Sequence, residues 1–275
     1  MGPTSRPTAR PTAKPTSGPT TQPGIGGVQH VIWLWLENHS ASAVTPASMP
    51  YLTSLGSTYG LATDYSAVTH PSLPNYIAAT SGGTQGIMND GTYDLNVASI
   101  FSQLGTAAHS YEQDYPGGCF TGSSSPVGID GPGVAGKYVR KHDPAMSYTA
   151  ISGTSLCSAT ISNLASFSNT HRFAFVTPNL CNDAHDCSLQ IADTFLRGFV
   201  PQVTGSAAFA HTLLVITFDE GSGSQVVYTA LIAPWLHGFR TSASLDHYSL
   251  LATTEHLLGL GYLGAARGAR LIPLG

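Results

Sequence analysis

An α/β fold, with a mostly parallel sheet layered between helices, is the class the sequence predicts, on three observations. Val31-Ile32-Trp33-Leu34-Trp35-Leu36 and Leu213-Leu214-Val215-Ile216-Thr217-Phe218 are continuous apolar runs, as expected of strands buried on both faces. Segments with helical spacing alternate with such runs. Beyond a Pro/Thr-rich start, about 250 residues remain, which suits one α/β domain.

Taken in order, residues 1–26 read as a linker, because Pro3-Thr4, Pro7-Thr8, Pro11-Thr12, Pro15-Thr16 and Pro19-Thr20 repeat without bulky apolar residues. Such a stretch cannot bury enough surface to offset its ordering entropy. Residues 27–275 form the expected folded domain. A first strand is predicted over 28–36 and a helix over 49–59. A short strand over 65–68 precedes Pro74, well placed at a helix start because its missing N–H is not needed there. A helix is expected over 95–104, ending at Gly105, and a strand over 110–112. Residues 116–155 are rich in Gly, Pro and Ser, a loop region suited to shaping a substrate mouth. A strand over 173–176 leads to a helix over 189–200, whose face is Leu189, Ala192, Phe195, Leu196 and Phe199. Strands over 213–218 and 227–232 follow, then a helix over 248–260 stopped by Gly259 and Gly261.

Charged residues are 9% of the chain and the net charge is −4. The first 23 residues hold Arg6, Arg10 and Lys14 and no acid, leaving 8 basic against 15 acidic residues, a net of −7. That surface does not suit nucleic acid. No run of about 18 apolar residues is present, so no membrane span is expected. The four cysteines, Cys119, Cys157, Cys181 and Cys187, contain no C-x-x-C pair, which argues against a zinc ribbon. Pairing Cys119–Cys157 and Cys181–Cys187 closes the shorter loops and is preferred; four buried thiols are the alternative. The chain opens Met1-Gly2-Pro3-Thr4 without an apolar h-region, so no signal peptide is visible. A stalk at the start leads us to expect a truncated N-terminus and a secreted or cell-surface protein.

The chemistry collects at strand ends, where open α/β sheets bind their ligands. Glu37-Asn38 follows the first apolar run and Asp219-Glu220 follows the later one. Adjacent buried acids repel unless a cation separates them, so the two pairs read as ligands converging on one hard cation. The alternatives are a strand-end loop for Asp219-Glu220 and an N-cap by Asn38 or Ser40. Ser72, between Pro71 and Pro74, reads as a helix N-cap or as a nucleophile backed by a helix N-terminus. No Gly-x-Ser-x-Gly elbow is present, which disfavours a serine esterase. Asp183-Ala184-His185-Asp186, bracketed by Cys181 and Cys187, is a third polar cluster; His142 and His247 are further candidates among eleven histidines.

Leu36-Glu37-Asn38-His39-Ser40, His70-Pro71-Ser72-Leu73-Pro74-Asn75-Tyr76, Lys141-His142-Asp143-Pro144, Pro178 to Asp186 and Thr217-Phe218-Asp219-Glu220-Gly221 run in order along nearly all of the folded part. Together they resemble the phosphoesterase family of acid phosphatases and bacterial phospholipases C, within the alkaline phosphatase superfamily. Ser72-Leu73-Pro74-Asn75 also resembles the nucleophile turn of nucleotide pyrophosphatases. The resemblance implies an alkaline phosphatase-like three-layer α/β/α sandwich. It implies one divalent metal ion held by Glu37, Asn38, Ser72, Asp219 and Glu220. Ser72 would pass through a phosphoserine, His185 would contact the phosphoryl group with His142 and His247 near it, and Asn75 belongs to the nucleophile motif. Oxygen ligands favour calcium, magnesium or manganese, with zinc as the alternative; the pattern is similar to a single-metal branch such as the lipoteichoic acid synthases. The expected substrate is a small phosphomonoester. The alternatives are a phosphodiester or phospholipid headgroup, in the manner of a phospholipase C, and a non-catalytic surface-binding domain. The lack of the C-terminal domains of larger phospholipases favours the monoester.

Overall fold

Strand β1 (His30–Leu36) is the centre of the molecule: six of its seven residues are buried. It pairs in parallel with β6 (Phe173–Thr177) on one side and β7 (Thr212–Phe218) on the other. The computed structural model describes residues 27–126 and 136–275; the linker expected over 1–26 lies outside the described residues.

Between β1 and β6 run α1 (Pro50–Thr58), β2 (Gly60–Ala62), β3 (Tyr65–Ser66), α2 (Ser72–Ser81), α3 (Ile100–Leu104), β4 (Ala108–Glu112), α4 (Thr149–Ser152), α5 (Leu156–Thr160) and β5 (Ile161–Asn163). After β6 come α6 (Leu189–Thr204), β7, β8 (Thr229–Ile232), β9 (Phe239–Thr241), β10 (Leu245–Asp246) and α7 (His247–Leu257). The main sheet has the order β5-β4-β6-β1-β7-β8-β2-β9. Only β8 runs against its neighbours β7 and β2, because the short link from β7 returns directly as a hairpin.

Side chains alternate across a strand, and β1 uses this to build two cores. Trp35 packs on Tyr76 of α2 and on His247 of α7, and Trp33 Nε1 donates to Thr254 Oγ1 of α7 at 3.0 Å. On that side α2 packs against α7; elsewhere α1 packs against α6. Helices thus cover both faces of a mixed, mainly parallel sheet, as expected from its uninterrupted apolar strands. Helix α2 ends at Gly82 with φ 76°, where a Cβ would lie 2.3 Å from the Leu263 carbonyl oxygen. Only glycine serves both needs there.

Several elements differ from expectation, among them the short helices α4 and α5. The helix expected over 95–104 begins only after Ser99, whose hydroxyl and Ser102 form a capping box; Leu95 instead bonds through its backbone to Ser147 and Thr149. The 116–155 loop is not all surface: Tyr138, Arg140, His142, Asp143 and Met146 are buried, in tight turns that pack under the site. Strands β2, β5, β9 and β10 have two or three residues each, too few to show a period; β5 and β2 line up on the longer β4 and β8, β9 extends β2, and β10 pairs with β3 in a separate two-stranded sheet. The preferred disulfides, Cys119–Cys157 and Cys181–Cys187, are both present.

Candidate active site

Because β1, β6 and β7 are parallel, their carboxyl ends lie on one edge of the sheet. Glu37 follows β1, Asp219 follows β7, and Asp183 lies in the loop after β6. Backbone bonds tie these ends together. Glu37 N donates to Asp183 O at 2.8 Å, and Asp219 N donates to Leu36 O at 3.0 Å. Asn38, at φ 61°, turns its N–H onto Asp219 Oδ1 at 2.9 Å.

Ser72 is the first residue of α2, but Pro71 is the N-cap and no side chain caps this end. The capping reading of Ser72 is therefore corrected. Its side chain is buried, and Oγ donates to Glu37 Oε2 at 3.1 Å. One turn along α2, Tyr76 OH donates to the other oxygen, Oε1. The His142 ring stacks on Tyr76, with centroids 5.4 Å apart and planes 10° apart. Its Nε2 lies 3.2 Å from Glu37 Oε2 and its Nδ1 lies 3.3 Å from Asp183 Oδ2, though neither meets hydrogen-bond geometry. Glu37 Oε2 is thus the atom on which serine and histidine converge.

Glu37, Asp183 and Asp219 are all fully buried. Burial pushes the carboxyls of Glu37 and Asp183 up to about 7, opposed at Glu37 by the Tyr76 hydroxyl and at Asp183 by the adjacent His142 ring. Burial, then repulsion from Glu37, raises Asp219 well above the usual carboxylate range. Asp219 Oδ2 is buried with no hydrogen-bond partner. Crowded carboxylates with an orphaned oxygen are what a bound cation would satisfy, so the donor set fits a divalent metal. Ligand atoms of Glu37, His142 and His185 also lie within 4.8 Å of one another. Nitrogen donors beside oxygen donors keep zinc and manganese in the range of fitting ions.

Of the expected ligands, Glu37, Ser72 and Asp219 come together. Asn38 approaches through its amide nitrogen, 3.5 Å from Glu37 Oε2, so it acts here as a donor. Glu220 Oε2 is engaged by His70 Nδ1 at 2.7 Å and by Asn75 Nδ2 at 3.5 Å. Asn75 shapes the turn before α2: Oδ1 accepts from the Val68 and Thr69 N–H groups, and Nδ2 donates to the Thr69 and Pro71 carbonyls. His247, expected beside the phosphoryl group, is instead buried behind the strand end. Its Nε2 bonds the Asp219 carbonyl at 2.6 Å and its Nδ1 bonds Tyr65 OH at 3.0 Å. Burial pulls its pKa down to about 4, so it is a neutral brace for Asp219. The cause is position: His247 opens α7, which packs under β1 rather than over the edge.

His185 lies at the site, its ring 5.6 Å from that of His142, with Nδ1 2.7 Å from Asp186 Oδ1. Tyr76, His70 and Asp90 were not singled out by sequence reasoning. Tyr76 sits one helical turn from Ser72, a spacing that signals a shared face. Asp90 lies in a turn with no pattern around it and carries no such signal.

Over 254 residues the chain is 32% identical to a protein named acid phosphatase from Aspergillus fumigatus, covering 84% of this chain and 55% of that one. A phosphate-repressible acid phosphatase of Penicillium chrysogenum is 29% identical, with 84% and 59% covered. The chain therefore spans little more than half the length of these fungal relatives. A phosphatidylinositol-3-phosphatase of Mycobacterium tuberculosis is 30% identical, with 87% and 80% covered. Among solved structures, an alkaline phosphatase superfamily protein from Vibrio parahaemolyticus superposes with a TM-score of 0.59 at 11% identity, covering 91% of this chain and 71% of that one. A lipoteichoic acid synthase from Listeria monocytogenes gives 0.58 at 10% identity, covering 90% and 75%. These likenesses show the fold. The phosphoesterase family profile spans residues 29–261, from the start of β1 past the end of α7, and the chain belongs to the phosphoesterase family.

Proposed function

We propose that the domain over 27–275 hydrolyses phosphomonoesters, as an acid phosphatase, with Ser72 as nucleophile and a phosphoserine intermediate. The observation that carries this reading is the bond from Ser72 Oγ to Glu37 Oε2, inside a cluster of buried carboxylates at the carboxyl edge of the sheet. A serine hydroxyl is a weak nucleophile until a neighbour lowers the cost of its deprotonation. Tyr76 occupies Glu37 Oε1 and so directs the remaining oxygen to Ser72. His142, stacked on Tyr76 between Glu37 and Asp183, is placed to hold a proton at Nε2 or Nδ1. His247 and the Asn38 N–H fix the carbonyl and carboxylate of Asp219. A divalent ion held by Glu37, Asp219 and Ser72 would supply Lewis acidity and neutralise phosphoryl charge.

The relative from M. tuberculosis is named for a phosphoinositide 3-phosphate, itself a phosphomonoester on a lipid headgroup. That name supports a monoester and makes a lipid headgroup the second substrate class to test. Both disulfides fit an oxidising compartment, and we place the protein outside the cytosol. Among the described residues no helix is long and apolar enough to cross a membrane.

The test is turnover of a chromogenic monoester, a chromogenic diester and a phosphoinositide monophosphate, with each of the four metals and across pH. Acid-quenched enzyme should carry a phosphoryl group on the peptide containing Ser72. Diester hydrolysis without monoester turnover would replace this reading by the phospholipase C type, and activity unaffected by prolonged chelation would remove the metal.

A further inference from the structure

Next to His142 stands a cation that the mechanism above leaves unused. Lys141 Nζ lies 2.9 Å from Asp90 Oδ2 and 3.2 Å from His185 Nε2. The other oxygen of Asp90, Oδ1, accepts the backbone N–H of Leu73 at 3.0 Å. One carboxylate therefore links the ammonium to the residue that follows the proposed nucleophile. Lys141 also acts electrostatically on Glu37, Asp219 and Glu220. Its neighbour Arg140 is different: that guanidinium is occupied by Asp94 and by the carbonyls of Tyr93, Thr121 and Met146.

Two properties of the Lys141 environment matter. An ammonium has three N–H donors, and among the described residues Asp90 and His185 account for two. The histidine itself is oriented by Asp186: with Nδ1–H donating to Oδ1, the Nε2 lone pair is left to accept from Lys141. In that arrangement His185 is an acceptor, and lysine carries the positive charge of the pair.

Resting on the phosphoric-ester reading above, we propose that Lys141, held by Asp90, contacts the non-bridging phosphoryl oxygens and selects a phosphate dianion over a monoanionic diester. A monoester dianion brings one more negative charge than a diester into a site already lined by Glu37, Asp183 and Asp219. A fixed cation there favours the more highly charged substrate, and preorganised charge at a developing anion carries much of phosphoryl-transfer catalysis. An ammonium keeps its charge throughout the acid and neutral range.

The experiment compares wild type, Lys141→Met, Lys141→Arg and Asp90→Asn on p-nitrophenyl phosphate and bis(p-nitrophenyl) phosphate, with inhibition by inorganic phosphate and a thermal melt for each. Lys141→Met should lose about 100-fold in monoester kcat/KM and less than about fivefold on the diester, with phosphate inhibition weakened at least about tenfold. Lys141→Arg should recover most of the monoester rate. Asp90→Asn should show the same bias with a smaller loss, and it decides the matter if Lys141→Met does not fold. Equal losses on both substrates, or none, in folded variants would overturn the role of Lys141 and leave the function standing. A wild-type protein that hydrolyses neither ester would remove the function and this inference together.

Discussion

At the carboxyl edge of the sheet Glu37, Asp183 and Asp219 are buried together, while at its opposite edge His30, His109 and His171 form a cluster that is nearly as tight. There the His109 ring stacks on His171 at 4.6 Å and bonds Ser162 Oγ at 2.7 Å. His171 Nδ1 meets Tyr111 OH at 3.0 Å, and His30 Nδ1 meets the His171 carbonyl at 2.8 Å. Burial lowers the pKa of both His109 and His171, so both rings stay neutral and burial is tolerated. At the carboxyl edge the same physics acts against the fold, because ionised carboxylates lose more on desolvation and repel one another. One edge shows titratable groups in a resting structural role; the other retains an electrostatic deficit that a bound cation or proton uptake would relieve, a common mark of a functional site.

Ser72→Ala should produce the largest effect and break the comparison most directly. Monoester turnover should fall by about 10³-fold or more, with the melting temperature almost unchanged because Ser72 caps no helix. A folded variant that retains wild-type rates would show that the buried cluster is not built around this hydroxyl.

Next is Asp219→Asn. Metal content and kcat/KM should both fall, the latter by about 100-fold, while the metal-free variant should melt above metal-free wild type. Removing one buried negative charge relieves repulsion with Glu37, and an amide supplies a donor where Oδ2 has no partner. Chelation should lower the melting temperature of wild type and have little effect on the variant. If elemental analysis finds unchanged metal in the variant, Asp219 is not a ligand.

A smaller effect is expected from Cys181→Ser combined with Cys187→Ser. The bond closes the loop that presents Asp183 and His185, but a loop this short restrains little unfolded-chain entropy. Activity should drop by about tenfold with only a minor change in melting temperature. A large stability loss at full activity would assign the disulfide to the fold instead of the site.

The smallest effect lies at the histidine edge. The folded pKa of His109 is down near 4, from 6.5, so the unfolded chain takes up a proton first as pH falls. Its contribution to stability is complete above about 6.5 and is lost as pH drops towards 4. His109→Gln should leave activity at neutral pH unchanged and flatten the fall of melting temperature over that window. An unchanged slope would mean that His109 does not govern acid lability.

The longer helices and strands were legible because their patterns are local and strong, whereas the short α4 and α5 were not expected. β1, β6 and β7 are runs that a half-exposed environment would not tolerate, and α6 carries its face in plain periodicity. The acids Glu37 and Asp219 were legible because each directly follows such a run. His247 misled because a histidine before a helix looks the same whether that helix covers the site or lies beneath it. Asp90 was invisible because its partners, Leu73 and Lys141, are 17 and 51 residues away.

By itself, then, the sequence determined the layered α/β class, the parallel core strands and the placement of acids and Ser72 at element ends, since hydrophobic period and strand length are properties of neighbouring residues. Tertiary structure alone decided that Glu37 Oε2 receives both Ser72 and His142, that His70 and Asn75 engage Glu220, and that Lys141 reaches across to Asp90. Those contacts join residues far apart in the chain. Their distances follow from how strands stack and loops return over the sheet edge, where a shift of about one ångström changes which donor meets which acceptor.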